Sequence, residues 1–302
     1  MANVVLYQIG SESKNPRTNE FYDPWTNHIW LCIEQIRKWN PNIPIYMITN
    51  KAEIPYKERF SKFNVSQVFQ EDLPTQHNIL SAPYFNEDPN PIYRWGGLRV
   101  FYIESLIKKY GLSDVFTFDN DVLVYCNLNR IGFILSGLYA RTAITPDSIH
   151  KMVFGMCYMK NADSMTKIID DIWNLINTEQ GKCYSDMDLW NVLNKTRGNE
   201  FVGVLPTWMD GDFSEYSSVI GGIFDPSSIG QHLLGCDNGS PPGCLFPHHY
   251  IHSRLTEGNY KFVQQIDVKG RKYIDVLNTS TRSLTKILSI HVHCKKLKDL
   301  MV

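Results

Sequence analysis

The sequence predicts an α/β fold, a central and mostly parallel mixed sheet flanked by helices, on two observations. Short apolar, β-branched runs alternate with segments of helical periodicity through the first half, as crossover connections between parallel strands require. The 302 residues, 43% hydrophobic and 13% aromatic, are also enough to bury a large core. A single domain over 1-302 is expected, with 1-126 and 127-302 as closely packed halves.

Each element has its own signal. Val4 to Gln8 reads as the first strand, and Ile9-Gly10 follow it where a ligand can approach backbone. Asn27 to Trp39 carries Ile29, Trp30, Ile33 and Ile36 at helical spacing, and Asn40-Pro41-Asn42 stops it. Ile43 to Ile48 is the next strand, before Thr49-Asn50; a helix near Tyr56 to Phe63 and a strand at Val65 to Phe69 follow. Glu71 to Asn90 is polar and proline-bearing and reads as a loop or lid. Tyr93 to Tyr110 places Leu98, Phe101, Leu106 and Ile107 on one helical face and feeds Phe116 to Tyr125, an apolar strand interrupted by Asp119-Asn120-Asp121.

Beyond Asn127 the alternation weakens. Strands are expected near Leu138 to Ala143 and Val153 to Met159, with helices at Asp163 to Ile176 and, after the N-cap Ser185, at Asp186 to Asn194. Asp210 to Pro247 has the Gly, Ser, Pro and Asp content of binding loops. Arg271 to Val276 and Leu284 to Cys294 close the chain as strands.

Thirty Lys and Arg stand against 31 Asp and Glu, so no net field draws the protein to nucleic acid or to an anionic membrane. No segment has the length of a membrane span, MANVVLYQIG lacks signal-peptide architecture, and a cytoplasmic setting is expected. Seven cysteines without metal-finger spacing read as scattered thiols, although Cys236 and Cys244 could close a loop.

Chemistry concentrates in four stretches. Two carboxylates inside an apolar run are costly without a partner; strand alternation would put Asp119 and Asp121 on one side, able to hold a hard cation. In SIHVHCKK, His291 and His293 share the polar face of a strand and could complete that shell, with Lys295 beside phosphate oxygens. The bland reading is an edge strand with solvated histidines. SDMDLWN puts Asp186 and Asp188 in the first turn of a helix, where the macrodipole alone favours them, or where they could accept sugar hydroxyls or a proton. Arg99 is a surface ion-pair partner or a phosphate clamp.

Together these stretches resemble the GT-A glycosyltransferases, nucleotide-sugar-dependent enzymes on a Rossmann-like α/β domain. An arginine-bearing helix before a strand with D-x-D and an apolar run matches Arg99 and FDNDVLVY. The resemblance implies Mn2+ or Mg2+ held by Asp119, Asp121 and a histidine, His291 or His293, against the diphosphate of a UDP-sugar, with Lys295 beside that diphosphate. SDMDLWN is similar to the D-Q-D-x-x-N helix start of retaining family-eight enzymes, with Asp186, Asp188 and Asn191 matching. GGIFDPSSIGQHLLGCD is similar to a segment of microbial polysaccharide-type transferases and supplies Asp225, Gly230, Gln231, Gly235 and Asp237, with His232 in place of an aromatic residue. Met187 stands where the family has glutamine, and a thioether cannot make an amide's hydrogen bonds, so inversion and retention both stay open.

The implied function is transfer of a hexose or N-acetylhexosamine from a UDP-sugar to a hydroxyl of a glycan or glycoprotein acceptor. The donor would lie along Ile9, Gly10, Thr49, Asn50, Arg99 and Asn120. The acceptor would come from the side of Trp208 to Asp212 and of Asp225 to His249, with Asp210, Asp225, Gln231 and Asp237 as contacts. Asp186, Asp188 and Asp212 are candidates for catalytic carboxylates, with Asp210 a further candidate base. Trp95, Trp208 and Tyr250 have both a core and a sugar-stacking reading. A D-x-D phosphatase of the haloacid-dehalogenase type and a non-catalytic sugar-binding module are the competing classes.

Overall fold

The computed structural model describes residues 1–9, 27–51, 57–86, 91–178, 184–237 and 239–301. Gly10, the end of the loop or lid at 87–90, Cys183 and the side chain of Trp95 lie outside the described residues.

The first half forms parallel β-strands linked by helices: β1 (Asn3–Tyr7), α1 (Asn27–Trp39), β2 (Ile45–Thr49), α2 (Lys57–Lys62), β3 (Val65–Phe69), α3 (Pro83–Asn86), α4 (Pro91–Tyr110) and β4 (Ser113–Thr117). Then come β5 (Val122–Val124), α5 (Leu128–Leu138), β6 (Thr142–Ser148), β7 (Lys151–Asn161), α6 (Ala162–Ile176), α7 (Asp186–Arg197) and β8 (Val202–Val204). The remainder holds α8 (Ser217–Ile220), β9 (Ile223–Phe224), α9 (Ser228–Leu234), α10 (His252–Thr256), β10 (Tyr260–Ile266), β11 (Lys272–Asn278) and β12 (Leu284–His291).

The main sheet has seven strands in the order β3-β2-β1-β4-β7-β6-β8, parallel from β3 to β4, with β7 antiparallel to both its neighbours. Alternation along β1 explains its layers: Val4 and Leu6 point into an apolar cluster with Ile29, Ile33 and Ile36 of α1, and Val5 points into another with Leu98, Phe101 and Ile103 of α4. Helices therefore cover both faces, the arrangement a buried parallel sheet needs. The cluster on the α1 side also contains Trp208, Val276 and Leu297, so its apolar contacts run from one end of the chain to the other.

A second sheet, β10-β11-β12-β5 with β9 parallel to β12, corrects the reading of Phe116 to Tyr125 as one interrupted strand. Those residues are two strands in two sheets, β4 and β5, joined by a turn in which Val122 N–H donates to Asp119 O at 3.1 Å. Other expectations change for local reasons. The expected strand from Leu138 to Ala143 begins later, as β6, because Leu138 ends α5, whose start Asn127 caps by accepting from Arg130 N–H, with Leu128, Ile131 and Leu135 inward. The described part of the expected lid is packed, with Leu73, Ile79, Ala82, Tyr84 and Phe85 buried. Likewise 210–247 holds β9 and α9, both mostly buried. Cys236 and Cys244 are free thiols whose sulfurs lie 3.0 Å apart.

Candidate metal centre

The order of the main sheet places a topological switch between β1 and β4, since β2 and β3 continue to one side of β1 and β4 lies on the other. Open α/β sheets bind ligands in the crevice outside the carboxyl ends of strands at that point. Asp119, Asn120 and Asp121 occupy it. Asp119 N–H donates to Phe154 O of β7 at 2.8 Å, and Asn120 reaches back across the crevice, its Nδ2 donating to Tyr7 O at 3.0 Å and to Gln8 Oε1 at 2.7 Å. Among the described residues the buried Asn120 Oδ1 has no hydrogen-bond partner.

Strand register delivers the third member of the cluster. β12 runs antiparallel to β5 with His291 opposite Val122, and the next residue, Val292, donates its N–H to Asp121 O at 2.9 Å. His291 Nε2 thereby stands 3.2 Å from Asp121 Oδ1 and 3.8 Å from Asp119 Oδ2. Its other nitrogen, Nδ1, lies 2.7 Å from Pro226 O, an acceptor, so Nδ1 carries hydrogen and Nε2 faces the carboxylates. Metal-binding histidines are oriented in this way by a backbone carbonyl.

The electrostatics follow from crowding. Burial by itself would lower the His291 pKa, but the charge and hydrogen bond of Asp121, with Asp119 behind them, push it up to about 9. Burial would raise that of Asp121; Lys295 and His291 outweigh it and hold this carboxyl well below the usual range. Lys295 ion-pairs with Asp121 from a left-handed backbone, φ 63°, a conformation that non-glycine residues take up only where neighbours enforce it.

Arg99 joins the cluster to α7. Its guanidinium donates to Asp119 Oδ1 at 2.5 Å and to Asp186 Oδ2 at 3.0 Å, with Cζ 3.7 Å above the Phe154 ring. Burial and the nearby Asp119 raise the Asp186 pKa, against the pull of Arg99. Gly96 permits the approach of α4 to α7, because a Cβ there would stand 2.7 Å from Asp186 Oδ2. Gly230 does the same for α9 against β12: a Cβ would meet His291 O at 2.0 Å.

Other expected site residues have partners elsewhere. His293, beyond the end of β12, turns its Nδ1 to Cys236 O at 2.5 Å, and the acidic cluster contains His291 instead. Asp188 forms a capping box with Ser185, its Oδ2 accepting from Ser185 N at 3.0 Å and Oγ at 2.6 Å. Asp225 is fully buried and accepts from the N–H groups of Ile229, Gly230 and His291, so it holds the His291 backbone. Gln231 is buried beside His249, at 2.9 Å. Asp210 ion-pairs with Arg254, Asp212 is exposed with its N–H donated to the Tyr250 hydroxyl, and Asp237 is exposed in a turn. Thr49 is buried at the end of β2, accepting from Gln67 at 3.1 Å; Ile9 and Asn50 are half-buried just past β1 and β2. Trp208 is wholly buried, a core residue.

Sequence reasoning missed Gln8 and Pro226, the partners of Asn120 and His291. It also missed His28, in the first turn of α1, whose pKa burial and the nearby Lys295 lower to about 4. Pro226 acts through its carbonyl, which leaves no side-chain signal; it adjoins the matched Asp225.

No protein-family model and no curated protein matches this chain. Solved structures do. Mouse xyloside xylosyltransferase 1 in its apo form superposes with a TM-score of 0.47 at 9% identity, over 73% of this chain and 92% of that one. The glycosyltransferase GlyE of Streptococcus pneumoniae TIGR4 gives 0.41 at 13% identity, over 76% and 47%. A candidate nucleotide-diphospho-sugar transferase from Desulfovibrio desulfuricans G20 gives 0.41 at 11% identity, over 85% and 94%. No helix among the described residues is long and apolar enough to cross a membrane.

Proposed function

We propose that this chain is a metal-dependent glycosyltransferase of the GT-A type. It would transfer a hexose or N-acetylhexosamine from a UDP-sugar to a hydroxyl of a glycan or glycoprotein acceptor. The observation that carries the reading is the convergence of Asp119, Asp121 and His291, from a strand-end turn and a distant strand, at the switch point of a parallel sheet.

The donor set fits a hard divalent cation with one nitrogen ligand, Mn2+ or Mg2+. Two carboxylates and an imidazole nitrogen already aimed at one point need little rearrangement to hold it. When bound, the ion neutralises charge on a departing diphosphate. Lys295 would turn from Asp121 to a diphosphate oxygen, adding a charge-assisted hydrogen bond where negative charge develops. Asn120 Oδ1 would accept from a hydroxyl of the donor at the β1 end, near Ile9, Gly10, Thr49 and Asn50.

Arg99 bridges Asp119 and Asp186, which supports a positioning task for the arginine and favours Asp186, tied to the acidic cluster through it, among the candidate catalytic carboxylates. Asp188 and Asp212 remain candidates for the acceptor side, as Asp210 and Asp237 do for binding, while the buried Asp225 and Gln231 would support that side from within. Product-anomer analysis by NMR decides between inversion and retention.

A thermal-shift screen of UDP, GDP and CMP with and without Mn2+ tests the reading. Stabilisation by UDP that requires the metal is the expected result. Sugar-dependent stabilisation without nucleotide or metal would replace the transferase by a binding module, and hydrolysis of a phosphomonoester by a phosphatase.

A further inference from the structure

A second group of metal-ligating side chains lies outside the acidic cluster. Asp147, near the end of β6, is 5% exposed at its side chain and faces two consecutive histidines of the segment after α9. His249 Nδ1 contacts Asp147 Oδ1, and His248 Nε2 lies 3.3 Å from Asp147 Oδ2. One ligand atom from each of the three residues falls within 4.8 Å of the others. We propose that Asp147, His248 and His249 form a second divalent-metal site, of a kind that takes Zn2+.

Hydrogen bonding around the cluster supports the assignment. Gln231 Oε1 accepts from Phe246 N–H at 3.4 Å, which fixes the orientation of the amide. His249 Nε2, 2.9 Å from the same oxygen, therefore carries hydrogen. His249 Nδ1 is then the nitrogen that faces the buried Asp147 carboxylate, with His248 Nε2 at the carboxylate's other oxygen. Gln231 is then the outer partner that orients a ligating imidazole.

The chemistry selects the ion. Zinc takes nitrogen and carboxylate ligands at about 2.0–2.2 Å in a tetrahedron, which separates ligand atoms by roughly 3.3 Å; His248 Nε2 already stands at that spacing from Asp147 Oδ2, while His249 Nδ1, in direct contact with Oδ1, would move outward to admit the ion. Two imidazoles and one carboxylate suit zinc, whereas the first cluster, with two carboxylates and one imidazole, suits manganese or magnesium. His248, 52% exposed at its side chain, leaves one side open to water as fourth ligand. Tyr250 N–H also donates to Asp147 O at 3.1 Å, so the metal would fasten 248–250 to the end of β6 by side chain and backbone together.

Titration calorimetry with Zn2+ in excess Mg2+, on the wild type and on Asp121→Asn, tests this site independently of nucleotide or activity. One equivalent should bind to both proteins, and His248→Ala and Asp147→Asn should each weaken it at least about tenfold. His248 is half exposed, so its variant is expected to fold, which circular dichroism checks. Co2+ in place of Zn2+ should give ligand-field absorption without a thiolate charge-transfer band. Absence of Zn2+ binding, affinity unchanged in both variants, or a thiolate band reporting Cys236 and Cys244 would each overturn the proposal.

Discussion

Asp121 and His291 meet at 3.2 Å because β12 pairs antiparallel with β5 and sets His291 opposite Val122, the residue next to Asp121. The contact belongs to the ladder of the smaller sheet. The cluster is thereby held by backbone hydrogen bonds, and its members can be removed one at a time with the strands left in place.

Asp121→Asn keeps the side chain's size and removes its charge. Metal affinity and sugar transfer should both fall at least about a hundredfold, with the far-ultraviolet circular dichroism unchanged. Mn2+ titration by electron paramagnetic resonance checks the first effect, and undiminished metal-dependent turnover would sink the assignment.

His291→Ala and His293→Ala should separate. The first loses a cluster member and should weaken Mn2+ binding by at least about tenfold. The second loses the contact to Cys236 O and a ring contact with His291 but no cluster ligand, and should leave metal affinity within about threefold, by the same titration. Unchanged affinity in both variants would mean that the end of β12 is only structural.

Gly96→Ala places a methyl group against Asp186 Oδ2, where the space is 2.7 Å. It should push α7 from α4, lengthen the bond between Asp186 and Arg99, and cost about 1–3 kcal/mol, read from urea unfolding. Lost stability with transfer unaffected would show that the bridge from Arg99 to Asp186 plays no part in the reaction.

Asp267 gives a pH signature remote from the site. Burial would raise its pKa, but Arg271, by hydrogen bond and charge, and backbone N–H groups bring it down to about 2. A carboxyl lowered on folding contributes stability that is full above the unfolded value of about 3.9 and is lost as pH falls toward 2. The difference in unfolding free energy between wild type and Asp267→Asn should be constant above about pH 5 and shrink below pH 4. Arg271 also stacks at 3.9 Å on Trp39, so the same variant should loosen the β10 and β11 hairpin, seen as faster amide exchange at its turn.

Local pattern made the first half of the fold legible. Strand and helix alternation from Val4 to Tyr110 survives in the structure within a residue or two, apart from α3 inside the expected loop, because burial on both faces of a parallel sheet leaves continuous apolar runs and amphipathic helices. Ser185 capped its helix as its residue type implies, and that cap accounts for Asp188. Less was legible beyond Asn127. β8 and β10 are short or half exposed and carry weak periodicity, while α5 is glycine-bearing.

By itself the sequence determined which residue types carry the chemistry: two carboxylates in an apolar run, histidines before a lysine, an arginine on the preceding helix. Tertiary structure alone decided which of them meet. A turn between two sheets aimed Asp119 and Asp121 at one point, register chose His291 over His293, and Pro226 O turned the imidazole toward them. The physical reason is that ligand geometry is set by long-range pairing and by backbone carbonyls. Sequence spacing records neither.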